Sequence, residues 1–237
     1  MATKHITKIQ TIVQTNKKAS GTVLFFHGSG DTGKGLKDWI RFVLGKEISF
    51  PHLRVLFPTA PLRPYTPNNG ELSNVWFDRL SISPDVPEHK ETIESIGDEV
   101  KKIINGEIEQ GIKPERIIIG GFSMGGALAL HSAYRFCPHA AGVFTLSSFL
   151  NETSAVYDFL KTNGDTPKPP LFMCHGNRDS LVDLSWGQNT FQELKKLGVD
   201  GEFHVIHNAM HELKKTEILK LIDWINKTLP PLESDTS

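Results

Sequence analysis

Short apolar runs alternate along this chain with longer segments of helical periodicity. The runs are rich in β-branched and aromatic residues, and their nearly continuous apolarity is typical of strands that are covered on both faces. Alternation of strand and helix predicts an α/β fold, in which helices cover both faces of a mostly parallel sheet. The predicted strands are 22–27, 53–58, 116–122, 141–146, 170–176 and 201–206, with an earlier one near 8–13.

Three segments outside the predicted strands show the helical pattern. Residues 88–110 place isoleucine and valine on one stripe and charged residues opposite it. Residues 185–198 end in two lysines and a glycine, and residues 215–229 stop before Pro230 and Pro231, as helix C-termini commonly do. Because functional residues in such folds gather at the carboxyl ends of the strands, a site is expected there.

The composition sets broad limits on the class of protein. With 237 residues, of which 38% are hydrophobic, the chain is predicted to form one domain over residues 1–229, with 230–237 as a disordered tail. A formal net charge of −1 indicates no basic surface for nucleic acid. The sequence also shows neither a signal-peptide pattern nor an integral membrane segment, so a cytoplasmic location is predicted.

One serine stands among glycines, directly after a predicted strand and before an alanine-rich helical pattern. Residues 121–125 read Gly-Phe-Ser-Met-Gly, which satisfies G-x-S-x-G in the required strand–turn–helix context. Such a turn forces the serine into a strained backbone conformation, and the surrounding glycines leave space for it. The pattern predicts Ser123 as a nucleophile, and the alternative is a packing turn with an incidental serine.

A serine hydroxyl needs a base, and the base needs a group that orients it. In hydrolases with this turn, the partners follow in the order serine, acid, histidine. Asp179 lies just beyond the strand 170–176, and His211 lies beyond the strand 201–206. Both therefore fall at the strand ends where Ser123 is expected, and we predict a triad of these three residues.

Other residues compete for the same roles. Asp183 stands closer to the next helix, where it would serve as an N-cap. His207 forms an H-x3-H pair with His211, but no further set of zinc ligands is convincing, and His207 is interpreted as a loop histidine. His27 is expected to brace the turn below the site.

The glycine-rich loop 27–35 resembles a nucleotide-binding loop. Its glycines match G-x-G-x-x-G and nearly match the P-loop pattern, but Gly35 replaces the Ser or Thr that would hold Mg²⁺. The strand 53–58 also lacks the terminal acid that would bind a ribose. The preferred interpretation is an oxyanion hole, with backbone N–H groups from Ser29 and Met124.

Six motifs in one order carry a family resemblance: "FFHGSGDTGKG", "PTAPLRPYT", "WFD", "GGFSMGG", "HGNRDSLV" and "MHEL". With these, the chain resembles the acyl-protein thioesterase family of α/β-hydrolases, and within it the lysophospholipase-like branch. The resemblance implies a serine hydrolase for acyl thioesters or esters, acting on acylated proteins or small acyl substrates. It places the catalytic roles on Ser123, Asp179 and His211 and the oxyanion hole on Ser29 and Met124. This chemistry needs no metal or organic cofactor.

Two features depart from the family pattern. Met124 stands where thioesterases of this family usually have glutamine, which is expected to reshape the pocket floor without abolishing the chemistry. The loop 65–74 is polar where the family has an apolar shelter for a long acyl chain. A methylene contributes its ~0.8 kcal/mol only when it is buried against apolar groups, and this polar loop does not provide them. Short or medium acyl groups are therefore predicted.

Several alternatives stay open at this stage. The proline-containing segment 59–75 is either a lid or a rigid surface connection, and residues 76–78 are expected to support packing and the loop. The protein could also be a general short-chain carboxylesterase without a protein substrate. A binding protein that keeps the hydrolase fold without catalysis is a further possibility.

Overall fold

A computed structural model of the chain describes residues 5–16 and 18–233, and within these ranges the central sheet has seven strands. Their spatial order is β1-β3-β2-β6-β7-β8-β9; β1 runs antiparallel to β3, and the other neighbours are parallel. The predicted mostly parallel sheet is therefore confirmed, with strand limits within about one residue of the prediction. The sheet strands are β1 (Ile9–Ile12), β2 (Gly21–Phe26), β3 (Leu53–Pro58), β6 (Ile117–Phe122), β7 (Gly142–Leu146), β8 (Leu171–Gly176) and β9 (Gly201–Ile206); β4 (Leu62–Tyr65) and β5 (Glu71–Asn74) lie outside it.

Helices follow most of the strands, as the alternation predicts. Two of them, α1 and α4, were not predicted, and α1 begins at Gly33, inside the segment that had been interpreted as a loop. After α3 the chain continues in a π-helical turn, Ser132–Phe136. The helices are α1 (Gly33–Leu44), α2 (Lys90–Glu109), α3 (Met124–His131), α4 (Ala155–Thr162), α5 (Leu184–Lys196) and α6 (Lys215–Thr228).

The sheet separates two apolar layers, which explains why its central strands are apolar at every position. Along β2, Val23 and Phe25 pack into the layer formed with α1 and α6. Leu24 and Phe26 point the other way and pack into the layer formed with α2, α3, α4 and α5. Helices thus cover both faces, as predicted, and every side chain of β2 is buried.

The polar segment predicted as a loop at 65–74 is largely a β-hairpin. Strands β4 and β5 pair antiparallel and are joined through a 3₁₀ turn at Thr66–Asn68. The Asp78 carboxylate accepts hydrogen bonds from the backbone N–H and the hydroxyl of Thr66, at 2.8 and 2.6 Å. Trp76 is fully buried, so the predicted packing and supporting roles of this region are confirmed. The pairing of the two strands and the hydrogen bonds to Asp78 favour a rigid connection over a lid for this segment.

Two sequence expectations concern the ends of the chain and the membrane. Within residues 5–16 and 18–233, no helix combines the length and apolarity that crossing a bilayer requires. Residues 234–237 of the predicted tail lie outside the described residues.

The helix that follows the loop of His211 contains a buried acid. Glu217 in the first turn of α6 is 1% exposed and accepts the Lys214 N–H at 3.3 Å. Burial raises the pKa of Glu217 to about 8, and Glu212 adds to the rise. In the unfolded chain the pKa returns to its ordinary value of 4.5, so the protonated acid favours the folded state.

We therefore expect the contribution of Glu217 to stability to fall as pH rises. The contribution of Glu217 is fully present below pH 4.5 and is lost progressively up to about pH 8, by a few kcal/mol in total. Glu217→Gln should flatten this dependence, which melting temperatures between pH 5 and 9 would measure. Exposed Glu233→Gln is the matched control and should keep the wild-type slope. An unchanged slope in Glu217→Gln would contradict the assignment.

Candidate active site

Ser123 occupies a sharp turn between β6 and α3. Its φ of 54° and ψ of −122° lie in a region that L-residues rarely adopt. Two glycines make the turn possible: a Cβ at Gly121 would overlap the backbone of Gly125, and one at Gly125 would overlap the carbonyl oxygen of Phe26. The role predicted for these glycines is confirmed.

The strained serine is held by neighbouring backbone. Its N–H donates to the Leu146 carbonyl at 2.9 Å, at the end of β7. The Ser148 hydroxyl donates to the Ser123 carbonyl at 2.7 Å. Ser123 itself is only half-buried, whereas its neighbours in the turn are buried. The turn therefore presents the hydroxyl at the carboxyl edge of the sheet while the backbone stays fixed.

His211 connects the serine to an acid. Its Nε2 lies 3.0 Å from Ser123 Oγ, and its Nδ1 lies 2.7 Å from Asp179 Oδ2. With Nδ1–H donating to the carboxylate, Nε2 is left as an acceptor for the serine hydroxyl. The structure thus brings together three residues that are 32 and 88 positions apart in sequence.

Aromatic rings support the imidazole from one side. The Phe122 ring lies 4.8 Å from the His211 ring, and Trp39 of α1 contacts Phe122 edge-on at 5.2 Å. The sequence did not predict these contacts, because Trp39 belongs to a helix that was not recognised. Together the rings restrict the imidazole to the orientation that faces Ser123.

Asp179 is enclosed and strongly hydrogen-bonded. Its side chain has no exposed surface, and its Oδ1 accepts the backbone N–H groups of Leu181 at 3.0 Å and Val182 at 2.8 Å. Burial alone would raise the pKa of Asp179, but hydrogen bonds from His211 and these amides outweigh it and hold the pKa below its ordinary value. The acid is therefore ionised at neutral pH and both of its oxygens are occupied.

A second buried histidine lies beneath this acid. His175 donates from Nε2 to the Val182 carbonyl at 2.8 Å, and the same nitrogen is 3.7 Å from Asp179 Oδ2. Burial lowers the pKa of His175, so its ring is neutral. His175 braces the turn that carries Asp179, a role the sequence did not predict; its position near the end of β8 was the available signal.

The competing residues take the roles expected of them. Asp183 is the N-cap of α5 and accepts the Ser185 N–H at 2.8 Å, as predicted. His207 lies exposed in a turn after β9. His27 donates to the Gly28 carbonyl at 2.6 Å and accepts the Ala60 N–H at 2.9 Å.

The bracing role predicted for His27 is therefore confirmed. Burial lowers its pKa to about 4, so the ring stays neutral under ordinary conditions. Because Nε2 already accepts the Ala60 N–H, no lone pair is left to receive a proton from Ser123. His27 is thus excluded as the general base.

The glycine-rich loop lies directly against the serine. A Cβ added at Gly28 would stand 3.4 Å from the Cβ of Ser123, and the Ser29 hydroxyl contacts the Met124 sulfur at 3.6 Å. Across the part of the chain that the structure describes, neither the Ser29 N–H nor the Met124 N–H has a protein acceptor. Two backbone donors therefore remain available next to the hydroxyl.

The start of α1 is poorly suited to a phosphate. The Gly33 N–H donates to Thr59 Oγ1 and the Gly35 N–H to Thr32 Oγ1, both at 3.0 Å. The Asp31 carboxylate packs so closely against Gly35 that a Cβ there would overlap it. An incoming phosphate would meet occupied donors and a negative charge, which argues against nucleotide binding.

Comparison with known proteins agrees with this geometry. A family model described as Phospholipase/Carboxylesterase matches residues 7–229. The chain is 49% identical to lysophospholipase-like protein 1 of Mus musculus over 219 residues, covering 92% of this chain and 91% of that protein. It is 32% identical over 231 residues to acyl-protein thioesterase 1 of Emericella nidulans, covering 92% and 95%.

A solved structure shows the same likeness. The crystal structure of Arabidopsis thaliana SOBER1 superposes with a TM-score of 0.76 at 30% identity, covering 88% of this chain and 99% of that one. The resemblance inferred from the six motifs, including the lysophospholipase-like branch, is confirmed by these similarities.

Proposed function

The chain belongs to the phospholipase/carboxylesterase family and is a serine hydrolase of that family, and from this premise we propose how it acts on its substrate. The nucleophile is Ser123, the general base His211 and the orienting acid Asp179. The observation that carries this proposal is the continuous hydrogen-bonded chain from Ser123 Oγ through the imidazole to the buried carboxylate. Each cycle passes through an acyl-enzyme on Ser123.

Acylation begins when the Ser123 hydroxyl attacks the substrate carbonyl. His211 Nε2 takes the hydroxyl proton, and Asp179 stabilises the imidazolium that forms. His211 then gives this proton to the departing thiol or alcohol. Water attacks the acyl-enzyme by the same route, with His211 again as base, and the acid product leaves.

The tetrahedral intermediates carry a negative oxygen that needs hydrogen-bond donors. We assign this role to the N–H groups of Ser29 and Met124, because both lie beside Ser123 and neither has a protein acceptor in the described chain. Their contribution is preorganised, since the donors require no reorientation during the reaction. The Ser29–Met124 contact holds the two donor residues together.

The proposed substrates carry short or medium acyl groups. The hairpin β4–β5 has a polar, exposed tip, with Asn68 and Glu71 in mutual contact, and offers a long acyl chain little apolar surface. The leaving group is a thiol or an alcohol, of an acylated protein or of a small molecule. The names of two relatives, which are acyl-protein thioesterases, support a protein thiol as the leaving group. We propose that the reaction takes place in the cytoplasm. The alternative is a general short-chain carboxylesterase.

A ladder of acyl lengths on matched oxygen and sulfur leaving groups tests this proposal. We expect kcat/KM to rise with acyl length only up to short or medium chains and then to level off towards sixteen carbons, because methylenes left in water gain none of the ~0.8 kcal/mol that burial would provide. Initial rates below the critical micelle concentration provide the measurement.

The ladder also separates the alternatives. A higher kcat/KM for an S-acylated peptide than for the matched oxygen esters supports the thioesterase assignment. Turnover of small oxygen esters alone supports the carboxylesterase. A maximum at sixteen carbons would contradict the interpretation of the hairpin. A chain without any turnover on either leaving group would be a binding protein.

A further inference from the structure

Arg79 is a buried cation outside the proposed triad. It is 7% exposed and follows the segment that anchors the hairpin. Its guanidinium carbon lies 5.2 Å from the centre of the Phe77 ring and 5.4 Å from that of Phe149. The two rings stabilise the charge by cation–π interaction. Burial nevertheless lowers the pKa of Arg79, which reflects the cost of enclosing the charge.

No acceptor in the described chain binds this guanidinium. Nε is buried and unpartnered, and no side chain or carbonyl within residues 5–16 and 18–233 accepts a hydrogen bond from the terminal amino groups. Asp78 and Glu88 act on Arg79 through space, but their oxygens bind other donors, Thr66 for Asp78 and His131 for Glu88. The rigid fork of Arg79 is therefore open to an external acceptor.

Two neighbouring side chains also have buried donors without a hydrogen-bond partner. The Tyr65 hydroxyl is buried without a partner and acts electrostatically on Arg79. Arg63, on the same strand β4, is also nearly buried and has an unpartnered Nε. Buried donors and charges are normally satisfied, because leaving them unpaired is costly. Tyr65 and Asp78 both act electrostatically on Arg79, and Asp78 also acts on Arg63, so these unpartnered donors belong to one neighbourhood that favours an acceptor from outside the described chain.

The cluster lies at the same edge of the sheet as the catalytic serine. Phe149, which contacts Arg79, follows Ser148, whose hydroxyl donates to the Ser123 carbonyl. On its other side, Trp76 donates from Nε1 to the His27 carbonyl at 2.7 Å, next to the loop of Ser29. The chain that carries Arg79 thus spans the site from the glycine-rich loop to the end of β7.

We propose that Arg79, assisted by the Tyr65 hydroxyl, binds a carboxylate carried by the substrate of Ser123. This inference rests on the proposed function and names a substrate class for it: short acyl thioesters or esters with an acidic group. Arginine suits this role because its planar fork can donate two parallel hydrogen bonds to one carboxylate. The acid belongs to the acyl half or to the leaving group, and matched substrates distinguish the two.

Two pairs of thioesters test the proposal. S-propyl monothioglutarate against S-propyl thiovalerate reports an acid on the acyl half. The butyryl thioester of 3-mercaptopropionate against S-propyl thiobutyrate reports an acid on the leaving group. For one of these pairs, Arg79→Leu should lower the acidic-to-neutral ratio of kcat/KM by about 10- to 100-fold, as expected for a charge-assisted pair. Arg79→Lys should restore part of the ratio.

Controls separate binding from structure and from general charge. Arg178 is exposed beside Asp179, and Arg178→Leu removes one positive charge near the site but should retain the wild-type ratio. A structural role for Arg79 would lower the turnover of acidic and neutral substrates equally, so identical ratios in Arg79→Leu and the wild type for both pairs would overturn the proposal.

A binding measurement keeps this test independent of turnover. Sodium glutarate at constant ionic strength should raise the melting temperature of the wild-type protein, and the rise should disappear in Arg79→Leu. If neutral thioesters are not hydrolysed but this rise depends on Arg79, the proposed function fails and the subsite stands. A rise of equal size in both proteins would overturn the subsite.

Discussion

Replacing Ser123 by alanine is expected to lower kcat for a p-nitrophenyl ester by about 10⁴- to 10⁶-fold. Without the hydroxyl no acyl-enzyme forms, and what remains is the attack of water assisted by the proposed oxyanion-hole amides of Ser29 and Met124. Alanine at 123 keeps the same strained backbone, so the melting temperature should change little. Steady-state kinetics on protein of verified fold provides the measurement.

A buried serine outside the proposed triad offers a control. Ser132 follows α3, and its enclosed hydroxyl has no hydrogen-bond partner in the described chain, so Ser132→Ala should keep full activity. A fluorophosphonate should label Ser123 and spare Ser132, as peptide mass spectrometry would show. If Ser123→Ala kept its turnover, or if the label appeared on another serine, the nucleophile assignment would be wrong.

The central sheet was predictable because one physical signal dominates it. Strands such as β2 and β6 are covered on both faces, so every position is apolar, and no solvent-facing residue interrupts the run. The same rule predicts the place of the site. Carboxyl ends of parallel strands share one edge, and that edge brings Asp179 and His211 to the turn of Ser123.

Two helices were not predicted from the sequence, for different reasons. Helix α1 begins with glycines that suggested a loop, yet Leu36, Ile40 and Leu44 recur at helical spacing and supplied the signal. Helix α4 is only eight residues long and shows fewer than three turns of pattern. Short helices depend on tertiary packing for most of their stability, so their sequences indicate them weakly.

The region of 62–79 was the least predictable. Its hairpin lies outside the main sheet, contains Pro64 and leaves both faces of its tip to solvent, so it lacks a strand pattern. Arg79 gave no sign of burial, since charged residues are rarely enclosed. The contacts of His175 and Phe122 with the proposed triad likewise arise only in the folded chain. The sequence therefore predicts the proposed reacting groups more readily than the residues that position them.

Asp179→Asn is expected to lower kcat by about 10⁴-fold with little change in the fold. The carboxylate accepts the Nδ1–H of His211 at 2.7 Å, which leaves Nε2 free to accept the Ser123 proton. An amide NH₂ in that place would favour the opposite tautomer, with its proton on Nε2, and would not stabilise an imidazolium. The kcat of the variant on a short ester, compared with its melting temperature, measures the effect.

Asp183→Asn is the matched control, because it makes the same change four residues away. Asp183 caps α5 through the Ser185 N–H, and asparagine caps a helix about as well as aspartate. The loss of its charge at the helix N-terminus should cost about 0.3–1 kcal/mol of stability and leave kcat unchanged. The reverse pattern, with activity lost in Asp183→Asn and kept in Asp179→Asn, would show that Asp179 is not the orienting acid. Because the two variants differ only in which carboxylate becomes neutral, their comparison isolates the charge behind the imidazole from any general effect of altering the loop.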